Sequence, residues 1–212
     1  EDIETSNEYN PKEYGGAFKV TKDMSLKFKK RVINTPISEQ AIAGIGIGLA
    51  LNGYKSFVEI MFGDFTTLVF DQVVQHASKI NLMFGTKVPL PLVIRTPMGG
   101  YRGYGPTHSQ SIEKHFLGIS GLNTFALNPF FPIEKIYKKA FESYSPSLVI
   151  ENKLQYNFLI SDLTDSKSYL SNFTKNVFDN DLTASFSLTN FENDDCTIFC
   201  YGAGSELALK SA

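Results

Sequence analysis

The 212-residue chain contains no run of about 18 apolar residues, so no part of it is built to cross a bilayer as a helix. It also lacks an excess of either charge. Lys and Arg number 20 against 22 Asp and Glu, a formal net charge of −2, which leaves no basic footprint for a nucleic acid or an anionic membrane. Cysteine is scarce. Cys196 and Cys200 stand four apart in a β-rich run, which predicts two parallel thiols on one face of a strand, free in a reducing compartment. Without a second cysteine pair, zinc is not supported. The chain opens at Glu1 with neither a basic n-region nor an apolar h-region, and it stops at Ala212 inside a helix-like pattern. It therefore reads as a fragment of a longer polypeptide. Neither a G-x-x-x-x-G-K-[ST] loop nor a strand-to-helix G-x-G-x-x-G is present, which argues against a self-contained nucleotide site. The absence of a G-x-S-x-G elbow argues against a hydrolase built on His108 and Ser109.

What is present is enough for a packed core: 42% of residues are apolar and 13% aromatic, too many for a disordered chain. Short β-branched runs alternate with helix-period segments from Arg31 to Asn152. Strands are predicted over 31–34, 56–61, 90–95, 124–127 and 147–151, and helices over 37–52, 66–84, 110–119 and 132–144. The last helix is the clearest, with Ile133, Ile136, Tyr137, Ala140 and Phe141 on one stripe. Apolar strands in βαβα order predict a doubly wound, mostly parallel α/β sheet covered on both faces. The stretch 161–193 is rich in Ser, Thr, Asn and Asp and reads as a linker or irregular connection. After it, 194–212 reads as a fresh strand, turn and helix opening a second α/β domain.

In such sheets ligands sit beyond the carboxyl ends of the strands, which directs attention to the loops 35–40, 62–65, 96–110 and 128–132. Glu39 lies where a strand gives way to a helix after Pro36. Position alone allows two roles for it, a capping acid facing the helix dipole or a catalytic carboxylate. The helix that follows carries Gly44, Gly46 and Gly48, each costing about 1 kcal/mol of helix propensity relative to Ala. Ala41, Gly44 and Gly48 form a flat stripe suited to close approach by another helix or subunit. The loop 97–110 has four glycines in seven positions and ends in His108 at a helix entry. His76 and His115 read as surface or packing residues.

Several segments in register carry a family resemblance: Tyr14–Thr21, Thr35-Pro36-Ile37-Ser38-Glu39-Gln40, Gly46–Ala50, Glu59-Ile60-Met61-Phe62-Gly63-Asp64-Phe65, Phe70-Asp71-Gln72-Val73 and His108-Ser109-Gln110-Ser111. The chain resembles the β subunit of the thiamine-diphosphate-dependent, decarboxylating first component of 2-oxo acid dehydrogenase complexes, of the pyruvate and branched-chain type. The likeness covers residues 1–156 well. It implies a transketolase-like pyrimidine-binding domain over 1–160 and, in 194–212, the truncated start of a C-terminal transketolase-like domain.

The resemblance implies that the Glu39 carboxyl group holds the ring nitrogen of the aminopyrimidine. That contact favours the imino tautomer, whose exocyclic nitrogen can remove the thiazolium proton. It implies Phe65 packed on the pyrimidine with Met61 and Phe62 lining the same pocket, and His108 near the thiazolium as a proton donor for acyl transfer to a lipoyl group. It also implies a structural potassium ion on the backbone carbonyls of Leu92, Ala140, Phe141, Ser143 and Ser145, although relatives often carry Asp and Asn at the two serine positions. The Gly-Asp-Gly motif for the diphosphate and its magnesium ion is missing, with Gly63-Asp64-Phe65 standing alone. That half-site is expected on an α subunit, and the active unit to be a heterotetramer with a second β subunit. The other expected partners are a lipoylated acyltransferase component and a 2-oxo acid substrate. The compartment implied is the bacterial cytoplasm or, in a eukaryote, the mitochondrial matrix. A non-catalytic α/β interaction module and another transketolase-type enzyme are the alternatives.

Overall fold

The computed structural model describes residues 15–28, 30–143, 145–157, 173–178, 183–188 and 196–211. Four strands form one parallel sheet in the order β1-β2-β4-β3: β1 Ser56–Glu59, β2 Leu92–Met98, β3 Asn123–Ala126 and β4 Ser147–Asn152. The register pairs Glu59 with Arg95, Pro97 with Glu151 and Ala126 with Ile150. Every residue of the central strand β2 is buried, as expected for a parallel strand covered on both faces. Alternation along the strands separates two cores. Leu92, Ile94 and Leu148 pack with Ile42, Ala43, Ile47, Val69, Val73 and Phe116 on one face. Val93 and Val149 pack with Ile136 and Ala140 on the other.

A single helical turn, α1 (Met24–Lys27), precedes the main helices. Helix α2 (Glu39–Leu51) starts where the Ser38 hydroxyl accepts from the Ala41 amide, an ordinary N-cap. Helix α4 (Ile133–Glu142) lies on the opposite face and connects β3 to β4. Within the region read as a connection, β5 (Phe173–Phe178) and β6 (Thr183–Leu188) pair as an antiparallel ribbon; the rest of 158–195 lies outside the described residues. Helix α5 (Gly204–Ser211) follows the turn after Tyr201, whose hydroxyl donates to Glu113 Oε1 at 2.8 Å.

Four expectations are corrected. Residues 31–34 are not a strand: the amides of Arg31 and Val32 both turn back to the Phe28 carbonyl, and Ile33 is exposed. The segment instead borders a groove of about 1290 Å³ along β1. The continuous helix expected over 66–84 is three pieces, a 3-10 stretch Gly63–Val69, a π stretch Gln72–Ala77 and α3 (Ile80–Phe84). The Ser78 amide reaches Val73 while its hydroxyl takes the Val74 carbonyl, competing with the α-helical ladder. The helix expected over 110–119 shrinks to the 3-10 turn Glu113–His115, because Gln110 is committed to Gly99 and Asp64 instead. Residues 196–200 form no strand among the described residues, and Cys196 and Cys200 are free and exposed.

Candidate functional site

The site is assembled from the carboxyl ends of β1, β2 and β4, where an open α/β sheet places its ligands. The end of β1 leads through Met61 and Phe62 into the 3-10 stretch carrying Asp64 and Phe65. The end of β2 leads into the glycine-rich loop that returns at His108, and the end of β4 leads directly to Lys153. Gly63 lets the first two approach: a β-carbon there would lie 2.2 Å from Met98 Cγ.

Phe62, Phe65 and His108 come together at these strand ends. The His108 ring centroid is 4.6 Å from that of Phe62 and 5.2 Å from that of Phe65, edge-on to both. Phe18 and Tyr104, not foreseen, extend the cluster against Phe62, and Phe18 also meets Tyr156. His108 Nδ1 is 2.9 Å from the Thr107 hydroxyl. Met61 is buried beside Phe62, but its sulfur accepts from the Ala17 amide, so it secures the segment that carries Phe18. Tyr14 of the same motif lies outside the described residues.

Glu39 is buried in the first turn of α2, 8% exposed, and its carboxylate has no side-chain partner among the described residues. A carboxylate with no protein donor at the start of a helix is open to a proton-bearing ligand. Helix α2 packs on the 3-10 stretch that bears Phe65. These residues fit the pyrimidine half of thiamine diphosphate: a carboxyl group without a protein partner among the described residues, and aromatic faces on an adjoining element. His76 and His115 are exposed.

Two polar residues that pattern reading missed hold the loop. Asp64 is buried, and its Oδ1 accepts from Gln110 Nε2 at 2.8 Å and from the Gln110 amide at 3.4 Å. Lys153 is fully buried, donates from Nζ to the His108 carbonyl, and lies 5.2 Å from the centre of the Phe62 ring. Burial lowers the Lys153 pKa from its ordinary value; the Asp64 carboxylate opposes this and the Arg102 charge adds to it. The available signal was a lysine directly after an apolar strand, at the end where ligands bind.

Next to the site, Arg95 of β2 forms an ion pair with Glu59 of β1 at 2.9 Å and with Glu151 of β4 at 2.6 Å. Tyr137 and Tyr156 both donate to Glu151. Burial, then the Glu151 charge, raise both tyrosine pKa values; on Arg95 burial acts downward but the carboxylates outweigh it. At the opposite end of the sheet, the Ser143 hydroxyl lies 2.8 Å from the carbonyls of both Ala140 and Ser145 and accepts from Asn123 at 3.0 Å. Leu92 opens β2, Phe141 lies in the last turn of α4, and neither carbonyl joins that network.

A parallel sheet with a carboxylate in the first turn of a flanking helix and an aromatic cluster at the strand ends is the arrangement of a cofactor-binding α/β domain. Residues 1–158 match the family described as the transketolase pyrimidine-binding domain, and the chain belongs to that family. It is 38% identical over 145 residues to the pyruvate dehydrogenase E1 component subunit beta of Porphyra purpurea, an alignment covering 68% of this chain and 44% of that protein. It is 34% identical over 160 residues to the chloroplastic subunit beta-3 of Arabidopsis thaliana, covering 75% and 39%. To the 2-oxoisovalerate dehydrogenase subunit beta of Bacillus subtilis it is 31% identical over 199 residues, covering 93% and 57%. The chain thus spans about two fifths to three fifths of the length of these relatives. Among solved structures, a split-gene transketolase described as an inactive beta4 tetramer shares the fold, with a TM-score of 0.50, 22% identity, and coverage of 65% of this chain and 42% of that one. No helix among the described residues is long and apolar enough to cross a membrane.

Proposed function

We propose that this chain is the pyrimidine-binding part of the β subunit of a thiamine-diphosphate-dependent 2-oxo acid dehydrogenase. Paired with an α subunit, it decarboxylates a 2-oxo acid and passes the acyl group to the lipoyl group of an acyltransferase component. The observation that carries the reading is Glu39, a carboxylate without a protein partner among the described residues, in the first turn of α2, within the Thr35–Gln40 segment that carries the family likeness. Thiamine diphosphate, when bound, supplies the electron sink for decarboxylation. Glu39 holds a proton between its carboxyl group and the pyrimidine ring nitrogen. Phe65, beside Phe62, presents an aromatic face to the pyrimidine, and His108 gives or takes a proton where substrate and lipoyl group arrive.

In this reading residues 1–160 are the pyrimidine-binding domain, 161–193 the connection and 194–212 the start of the C-terminal domain. The diphosphate and its magnesium ion belong to the α subunit, and a second β subunit completes the assembly. Potassium fits the convergence of the Ala140 and Ser145 carbonyls, where it would replace the Ser143 hydroxyl. The compartment is the bacterial cytoplasm or an organelle stroma or matrix; the plant relative is named chloroplastic.

Calorimetry of thiamine diphosphate and magnesium with the full-length β chain, with and without the α subunit, tests the proposal. Binding that requires the α subunit is the expected result. Tight binding to the β chain alone would overturn the split site, and binding in neither case would favour the non-catalytic module.

A further inference from the structure

The glycine-rich loop between β2 and the Glu113–His115 turn should be the least constrained part of the site. Gly99, Gly103 and Gly105 all adopt positive φ, and Tyr101 at its tip is 97% exposed. Yet its last residues are tied down by two charged groups from other elements. Asp64, at the end of β1, takes the Gln110 side chain; Lys153, at the end of β4, takes the His108 carbonyl. Hydrogen bonds to charged groups are stronger than those between neutral ones.

Lysine is a costly residue to bury completely. A Met or Leu would fill the same space next to Phe62 without desolvating a charge. Among the described residues, the only hydrogen bond of the Lys153 ammonium is to the His108 carbonyl, and its one nearby counter-charge is Asp64. Its ammonium also faces the Phe62 ring, on which the His108 ring stands edge-on. Thus a single cation touches both the backbone of the histidine and the aromatic wall that fixes its imidazole.

We infer that Lys153 is a positioning residue for His108, and that with Asp64 it clamps the base of the glycine-rich loop and so holds the imidazole against Phe62 and Phe65. This inference rests on the reading of His108 as the proton-transferring group of a 2-oxo acid dehydrogenase. It adds to that reading the two residues that hold the histidine in place. Asp64 in this role is a loop anchor, with its Oδ1 occupied by Gln110.

The test uses the full-length β chain and its assembly with the α subunit, with Lys153→Met and Lys153→Arg. Limited trypsin digestion reads the clamp independently of chemistry, comparing cleavage after Arg102 in the loop with cleavage after exposed Lys138 in α4. Lys153→Met should speed cleavage after Arg102 about tenfold, the factor one hydrogen bond to a charged group is worth, and leave Lys138 unchanged. In the assembly, acyl transfer to a lipoyl domain should lose about tenfold or more in kcat with KM for the 2-oxo acid nearly unchanged, the pattern of a group that acts after substrate binding. Lys153→Arg, which keeps the cation, should restore most of both. Unchanged cleavage after Arg102, or equal acceleration at both sites, would overturn the clamp and make Lys153 an ordinary core residue. An α-paired wild type without any turnover would overturn the proposed function instead, while the cleavage ratio would still decide the clamp.

Discussion

At the scale of single residues, the chemistry of the site depends on a carboxylate without a protein donor. Glu39 is such a group. Ser38 already caps α2, so a second capping acid is unnecessary, and the helix loses little when the charge at 39 is removed. Glu39→Gln in the complete assembly should therefore cut 2-oxo acid decarboxylation by about a hundredfold or more, the low end of general acid–base effects. The thermal midpoint should stay close to wild type; near-normal turnover would remove Glu39 from the mechanism. Much of this was legible in the residues. Glu39, Phe62, Phe65 and His108 belong to contiguous motifs at predicted strand ends, and three of them meet. Lys153 was hidden because a lone lysine after a strand usually faces water. Only the folded arrangement shows that it is buried under the loop 45 residues earlier in sequence.

At the scale of elements, spacing worked where one helix face meets one sheet face. Helices α2 and α4 and strands β1 to β4 fall within a few residues of their predicted bounds. It failed where side chains compete with backbone bonds, as at Ser78, or where a distant partner claims a terminus, as Asp64 claims Gln110. Neither competitor leaves a mark in hydrophobic periodicity. The glycines of α2 separate the same way. Gly46 is pressed on the sheet: a β-carbon there would be 2.3 Å from Val58 Cγ2 and 3.3 Å from Leu92 Cδ1. Gly44 and Gly48 have open space, so their stripe is free for a partner in the assembly. In the isolated β chain, Gly44→Ala should raise unfolding free energy by up to about 1 kcal/mol through helix propensity alone. Gly46→Ala should lower it by about 1–3 kcal/mol as overpacking outweighs the same gain. Urea unfolding of the two variants checks this; equal shifts would mean that α2 does not press on β1 through Gly46.

At the scale of the whole molecule, the sheet that presents the site is tied together by charge as well as by its ladder. Arg95, 2% exposed in the central strand, joins Glu59 of β1 and Glu151 of β4, and Tyr137 brings in α4. Tyr156 links the cluster to Phe18 and so to the aromatic wall of the site. The cluster carries one positive and two negative groups, so the arginine is its sole cation among the described residues. Replacing it with methionine preserves much of the volume but leaves two nearly buried carboxylates without their counter-charge. Arg95→Met should therefore cost about 3–5 kcal/mol of stability, the penalty for orphaning buried charge. The triple variant Arg95→Met, Glu59→Gln, Glu151→Gln should recover a substantial part, because the tyrosine hydroxyls can still bond to the amide at 151. Denaturant midpoints of the two proteins decide the point. A triple variant no more stable than Arg95→Met would mean that packing around the guanidinium, and not charge balance, holds the three strands in register.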